Sequence, residues 1–172
     1  RQFMAYQKTI SKPMQLKWFH SIDNKFNYYF MIEYMGENIG VINCKEVIEK
    51  ERYGEGGIFI WKKELRNSPV PVMASIALLD SIFFVLKISN KSFVRIMNDN
   101  LIAIRYNSAL GYMLIPNQIN QQYQHYLLTK EDYEENIKKL RKGCQILSGD
   151  FNTPRIMNTL NSKNLDSIER YF

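Results

Sequence analysis

Two histidines and one continuous stretch hold the residue types from which a chemical site could be built. His20 and His125 carry imidazoles, whose ordinary pKa of about 6.5 suits proton transfer near neutral pH. Each stands apart in sequence, with no partner residue beside it. The stretch runs from Glu55 to Tyr112. It reads Glu55-Gly56-Gly57-Ile58-Phe59-Ile60-Trp61, then a polar turn from Lys62 to Pro71, then a long apolar helix. A strand, the turn Asn98-Asp99-Asn100 and a second helix ending at Leu110-Gly111-Tyr112 complete it. A strand whose exit feeds a helix N-terminus offers a place for an anionic group. The first N–H groups of a helix have no internal partner, and the helix dipole favours negative charge there.

The elements that must position these residues are legible from periodicity. Ser11-Lys12-Pro13 opens a helix with Met14, Trp18 and Ile22 on one face. That face is either a core stripe or, with Phe19 and His20, the wall of a substrate pocket. Tyr28 to Met35 alternates as a strand, Gly36-Glu37-Asn38 turns, and Ile39 to Ile48 runs back. Glu49 to Arg52 reads as a loop, with Gly54, Gly56 and Gly57 just beyond it, and Ile58 to Lys62 as a third strand completing an antiparallel meander. The helix from Val72 to Leu86 places Val72, Ile76, Leu79, Phe83 and Leu86 on one stripe. Phe93 to Met97 is a strand, and Asp99 or Asn100 can cap the next helix, which stops at Gly111. Met113 to Ile115 and Tyr123 to Leu128 read as two further strands. Thr129-Lys130-Glu131-Asp132 resembles a capping box opening a helix with Tyr133, Ile137 and Leu140 on one face. Residues 1–142 thus form one domain. After Gly143 a polar extension, 143–172, holds a short amphipathic pattern at Leu165, Ile168 and Phe172.

At 172 residues the chain can bury a single core, and no apolar run approaches the roughly 20 residues that span a bilayer. Only Cys44 and Cys144 are present, far apart, so neither a disulfide framework nor a metal motif is expected. Two reduced thiols fit a cytoplasmic location. A net charge of +6 suits a phosphate-bearing partner, or marks a merely basic protein. The dispersed lysines argue against nucleic acid. A homodimer is left open.

The element order, and the residues Gly57-Ile58-Phe59-Ile60 through Arg66 and Asn100-Leu101-Ile102-Ala103-Ile104 through Leu110-Gly111-Tyr112, resemble the GNAT superfamily of acyl-CoA-dependent N-acetyltransferases. The resemblance spans about Arg1 to Leu128. Family members show a strand and helix before the point where this chain begins at Arg1, so an upstream segment is expected. The front part, Arg1-Gln2-Phe3-Met4, Ile10-Ser11, Leu16-Lys17-Trp18-Phe19 and Tyr28-Tyr29-Phe30, is similar to bacterial amino-sugar acetyltransferases of the pseudaminic-acid type. The resemblance implies a mixed α+β fold: a central, mostly antiparallel sheet, splayed at its middle strands and flanked by helices. It implies acetyl-CoA as cofactor and a small-molecule amine as acceptor, here an amino sugar carried on a nucleotide. A protein N-terminus or a polyamine is the alternative acceptor. A non-catalytic binding module of the same fold is the alternative to an enzyme.

In that family the pantetheine arm lies against the strand matched by Ile58, Ile60 and Trp61, and a backbone N–H near Ile60 or Trp61 would serve the oxyanion. The pyrophosphate sits on a loop of pattern Arg/Gln-x-x-Gly-x-Gly/Ala. Arg66 matches the first position, but Pro69 and Pro71 replace both small residues. Proline removes a donor and fixes φ, so the cradle keeps the N–H groups of Asn67, Ser68, Val70, Val72 and Met73. Asn100 and Ala103 match the cofactor-contacting helix start. The family often places a tyrosine seven residues after that Asn, as general acid for the leaving thiolate. Here Asn107 holds the position, able only to donate a hydrogen bond, and Tyr106 comes one residue early, turned by about 100°. Glu55 matches a family acidic position and is the first candidate base, with Glu33, His20 and His125 behind it. The alternative for Glu55 is a solvated turn residue.

Overall fold

A computed structural model describes residues 10–48, 51 and 53–148. Arg1–Met4, the loop residues Glu49, Lys50 and Arg52, and the pattern at Leu165, Ile168 and Phe172 lie outside them. Among the described residues four α-helices, α1 (Lys12–Ile22), α2 (Val70–Asp80), α3 (Leu101–Ala109) and α4 (Lys130–Ser148), accompany six strands. The strands are β1 (Tyr28–Tyr34), β2 (Glu37–Ile48), β3 (Tyr53–Ile60), β4 (Lys91–Met97), β5 (Met113–Leu114) and β6 (Tyr123–Thr129). They form one sheet in the order β1-β2-β3-β4-β6-β5. Every neighbour pair is antiparallel except β3 and β4. The architecture is the mixed α+β one expected. Among the described residues no helix is long and apolar enough to cross a membrane.

Strand alternation gives the sheet two different faces. One carries Ile32, Ile42, Cys44, Ile60, Val94, Ile96, Tyr126 and Leu128, all buried in the core shared with α2 and α4. Phe83 and Tyr133 anchor that core with ring centroids 5.6 Å apart, an aromatic pair of the kind that adds about 0.5–1.5 kcal/mol beyond burial. The Tyr133 hydroxyl donates to Asp80 Oδ1 at 2.7 Å, and Arg141 holds the same carboxylate at 2.8 Å. This ties α4 to the end of α2. At the start of α4 the Thr129 oxygen accepts the Asp132 N–H, the N-cap half of the expected box, while the Asp132 carboxylate accepts the Thr129 hydroxyl.

Four expectations are corrected. The third strand is β3, Tyr53–Ile60, starting five residues before Ile58, so Glu55 lies within it and is not a turn residue. The glycines that suggest a loop belong to the strand because they pair with β2 and β4, and Gly54 is small for a packing reason: a Cβ there would sit 2.5 Å from Cys44 Sγ. The helix expected to reach Leu86 is α-helical only to Asp80 and continues as a π-turn over Ser81–Val85. There the Leu86 N–H reaches Ser81 O at 2.7 Å. One extra residue in the turn rotates the chain beyond it, so Phe83 stays buried and Leu86 comes out 37% exposed. The Met14 and Trp18 face of α1 is not core: the two are 48% and 49% exposed, and the Trp18 ring stands perpendicular to that of Tyr29 with centroids 5.7 Å apart. Finally, α4 runs past Gly143, because Cys144 in the next position is buried.

Gly54→Ala is expected to destabilise the fold by about 1–3 kcal/mol through overpacking against Cys44. Gly143→Ala, with nothing within 4 Å of the added Cβ, is expected to stabilise α4 by roughly 1 kcal/mol. Urea unfolding of the two variants beside the parent chain checks both signs.

Candidate active site

Pairing between β3 and β4 covers only Tyr53–Lys91, Gly54–Ser92 and Glu55–Phe93. Beyond Glu55, β3 continues to Ile60 paired with β2, while β4 continues to Met97 paired with β6. The two strands diverge and leave a gap between them. The phase of the β2–β3 ladder decides which backbone groups face it. Trp61 N–H donates to Ile39 O at 3.0 Å, so the alternating ladder directs Gly57, Phe59 and Trp61 toward β2. The main-chain groups of Ile58 and Ile60 then point into the gap. The Trp61 indole is also committed, donating to Asn38 O at 3.0 Å. Of the two oxyanion donors considered, Ile60 N–H faces the gap and Trp61 N–H does not.

The start of α2 stands beside the exit of β3. Arg66 Nε donates to Ile60 O at 2.9 Å, fastening the turn to the strand. Much of the turn's donor capacity is spent internally. Ser68 N–H bonds Leu65 O, Val70 N–H bonds Ser68 Oγ, and Met73 N–H bonds Pro69 O. The Ser68 hydroxyl donates to Leu65 O. Pro69 and Pro71 have no N–H. Among the described residues this leaves Asn67 and Val72 as the N–H groups of the turn directed to neither a carbonyl nor a hydroxyl of the protein. They and the remaining Arg66 nitrogens are a reduced but coherent set for a phosphate.

Helix α3 forms the other flank. Asn100 caps it, its Oδ1 accepting Ala103 N–H at 3.2 Å. Asn107 spends one of its two amide N–H donors on Ala103 O at 2.8 Å, which ties the side chain back along α3. The hydroxyl of Tyr106 donates to Pro71 O at 2.8 Å and lies 2.7 Å from Ser75 Oγ. Burial pushes its pKa well above the ordinary tyrosine value.

The opposite sheet face bears an open cleft of 1120 Å³. Glu55 lines it at the point where β3 and β4 part, with Tyr53, Phe93, Arg95 and His125 around it and Asn24 to Asn27 at the rim. The Glu55 carboxylate lies 3.3 Å from Lys45 Nζ and 3.6 Å from Arg95. His125 stands across from Arg95 in the β4–β6 register. The other base candidates are elsewhere: Glu33 is an exposed residue of β1 near its turn, and His20 is exposed on α1 against Phe19. Trp18 and Phe19 do not line the cleft. Lys45, Tyr53, Phe93 and Arg95 were not singled out from sequence. Their period-two spacing with Glu55 across β2, β3 and β4 is the signal that places them on its face.

Neither a protein-family model nor a curated protein matches the chain. Solved structures do. Spermidine N-acetyltransferase from Vibrio cholerae in complex with CoA and spermine is 14% identical, with a TM-score of 0.60 over 76% of this chain and 80% of that one. A point mutant of spermidine N-acetyltransferase SpeG from the same organism is 18% identical, with a TM-score of 0.57 over 70% and 76%. The fold is that of these acetyltransferases.

Asn100→Ala removes the cap of α3 and is expected to cost about 1 kcal/mol of stability, read as a lower urea midpoint. An unchanged midpoint would remove the cap from the structural role assigned to it.

Proposed function

We propose that the chain is an N-acetyltransferase that moves an acetyl group from acetyl-CoA to a small-molecule amine. The observation that carries this reading is the gap between β3 and β4, with outward-facing backbone on one side and an uncommitted pair of helix-start N–H groups at its end. The backbone of Ile58 and Ile60, with Arg66, Asn67 and Val72, would hold the cofactor, and Asn100 and Ala103 would order the neighbouring helix. Acetyl-CoA would supply a thioester carbonyl open to attack by a neutral amine.

Glu55 would take the amine's proton, directly or through a water; its position on the cleft wall and the hold of Lys45 and Arg95 on its carboxylate support this reading. Tyr106 and Asn107 are both engaged within the protein, and a thiolate is a tolerable leaving group near neutral pH, so a side-chain acid is not required. The first reading of the acceptor is an amino sugar. Its support is the cleft lining, where aromatic rings and amides from Phe26, Asn27, Tyr53 and Phe93 suit a hydroxylated ring better than an extended polycation. The second reading is a polyamine, supported by the fold shared with spermidine acetyltransferases. Against it, Lys25, Lys45 and Arg95 stand at or beside the cleft with Glu46 and Glu55.

The test is release of coenzyme A with a panel of amino sugars, nucleotide-linked amino sugars, spermidine and N-terminal peptides. Turnover with the sugar class is expected, and Glu55→Gln is expected to lower kcat by about 10²–10⁴-fold. Turnover with spermidine alone would replace the first acceptor reading by the second. No turnover and no acetyl-CoA binding would leave a non-catalytic module.

A further inference from the structure

The bonds made by Tyr106 give this residue a task different from acid catalysis. A phenol has one proton to donate. In Tyr106 that proton goes to Pro71 O at 2.8 Å, so the 2.7 Å bond to Ser75 is made by the serine hydroxyl donating to the phenol oxygen. Both partners belong to α2, one in its first turn and one a turn further on. Tyr106 itself lies in α3, whose N-terminus Asn100 caps. The phenol is therefore a cross-brace between the two helices on either side of the gap.

The need for a brace arises from the two prolines. With Pro69 and Pro71 lacking N–H groups and three other donors spent inside the turn, two N–H groups remain, those of Asn67 and Val72. Few donors must be held in place more closely than many. Pro71 is also a residue whose carbonyl can be gripped but whose nitrogen cannot. Tyr106 grips that carbonyl.

We propose that Tyr106 is a positioning residue: through Pro71 and Ser75 it fixes the first turn of α2 to α3 and holds the Asn67 and Val72 N–H groups at the mouth of the gap. The ligand half of this inference rests on the proposed function; the brace itself does not. Delivering the phenolic proton to a leaving group would break the bond to Pro71. Burial, which raises the phenol's pKa, favours keeping the proton where it is.

The experiment compares the parent chain with Tyr106→Phe and Ser75→Ala by three readouts. Amide hydrogen exchange at Met73 and Ala74, whose N–H groups lie in the turn that Tyr106 grips, reports that turn without any ligand. Calorimetric titration with coenzyme A reports the site, and the pH profile of kcat reports acid chemistry. In Tyr106→Phe, exchange at these amides is expected to quicken by roughly tenfold, about the factor one hydrogen bond provides, and coenzyme A to bind roughly tenfold more weakly. The alkaline limb of the kcat profile is expected to keep its position. Ser75→Ala, which keeps the bond to Pro71, is expected to shift exchange and binding in the same direction by less, and carries the test should Tyr106→Phe not fold. Unchanged exchange in Tyr106→Phe would overturn the brace. Faster exchange with unchanged coenzyme A affinity would overturn its positioning role, as would a lost alkaline limb with affinity intact, which would assign Tyr106 as the acid. A parent chain that binds no coenzyme A would overturn the proposed function, while exchange would still decide the brace.

Discussion

The rest of the structure depends on the short parallel ladder between β3 and β4, which ends after Glu55 and Phe93. Main-chain N–H and C=O groups inside a sheet are normally paired, because leaving them without a partner away from water is costly. Here two central strands keep their outer partners and lose each other. On the core side, the buried hydroxyls of Ser92 and Tyr112 are bonded at 2.7 Å. They lie 3.4 and 3.5 Å from where a Cβ on Gly56 would be, directly under the parting. On the other side, Lys45 and Arg95 converge on the Glu55 carboxylate at the same level. The last rung is thus held from both faces, and the divergence starts from a fixed point. An extended ligand lying along β3 would take the place of the missing strand, as strand addition does at an ordinary sheet edge.

The two helices flanking the gap carry the remaining constraints. Arg66 locks the α2 turn to Ile60, and Tyr106 locks it to α3. A glycine-rich phosphate loop lets the backbone approach its ligand with many donors and little stiffness. This chain has the reverse arrangement, with two prolines, an internally bonded serine and few donors. Under the proposed function it would trade donor number for a turn that needs little ordering when a ligand arrives.

Much of this was legible in the sequence because local rules and tertiary packing agree there. The Ser11, Asn100 and Thr129 caps, the turn at Gly36, the stop at Gly111 and the alternation of β1, β2 and β4 each arise from chemistry within a few residues. The misreadings have tertiary causes. Gly54, Gly56 and Gly57 have the composition of a loop, yet they form strand because β2 and β4 pair with them, and glycine is favoured at Gly54 and Gly57 because Cys44 and Asn43 leave little room for a Cβ. The π-turn at Ser81–Val85 leaves no trace in the hydrophobic spacing up to Phe83. Trp18 on α1 has the spacing of a core residue, and its exposure depends on what the open face of the sheet meets. Glu55 was singled out by resemblance, whereas its partners Lys45 and Arg95 become visible only with the register. The roles of Asn107 and Tyr106 likewise turn on bonds to Ala103, Pro71 and Ser75 that no spacing reveals.

The most direct measurement of the gap's role is residue-resolved amide exchange along β3, with and without coenzyme A. Gly57 and Phe59 amides, turned toward β2, should be protected in both states. Ile58 and Ile60 amides, turned into the gap, should exchange readily in the free protein and become protected when coenzyme A is added. If Ile58 and Ile60 exchange at the same rate with and without saturating coenzyme A, no ligand lies along β3, and the gap is not where the cofactor binds.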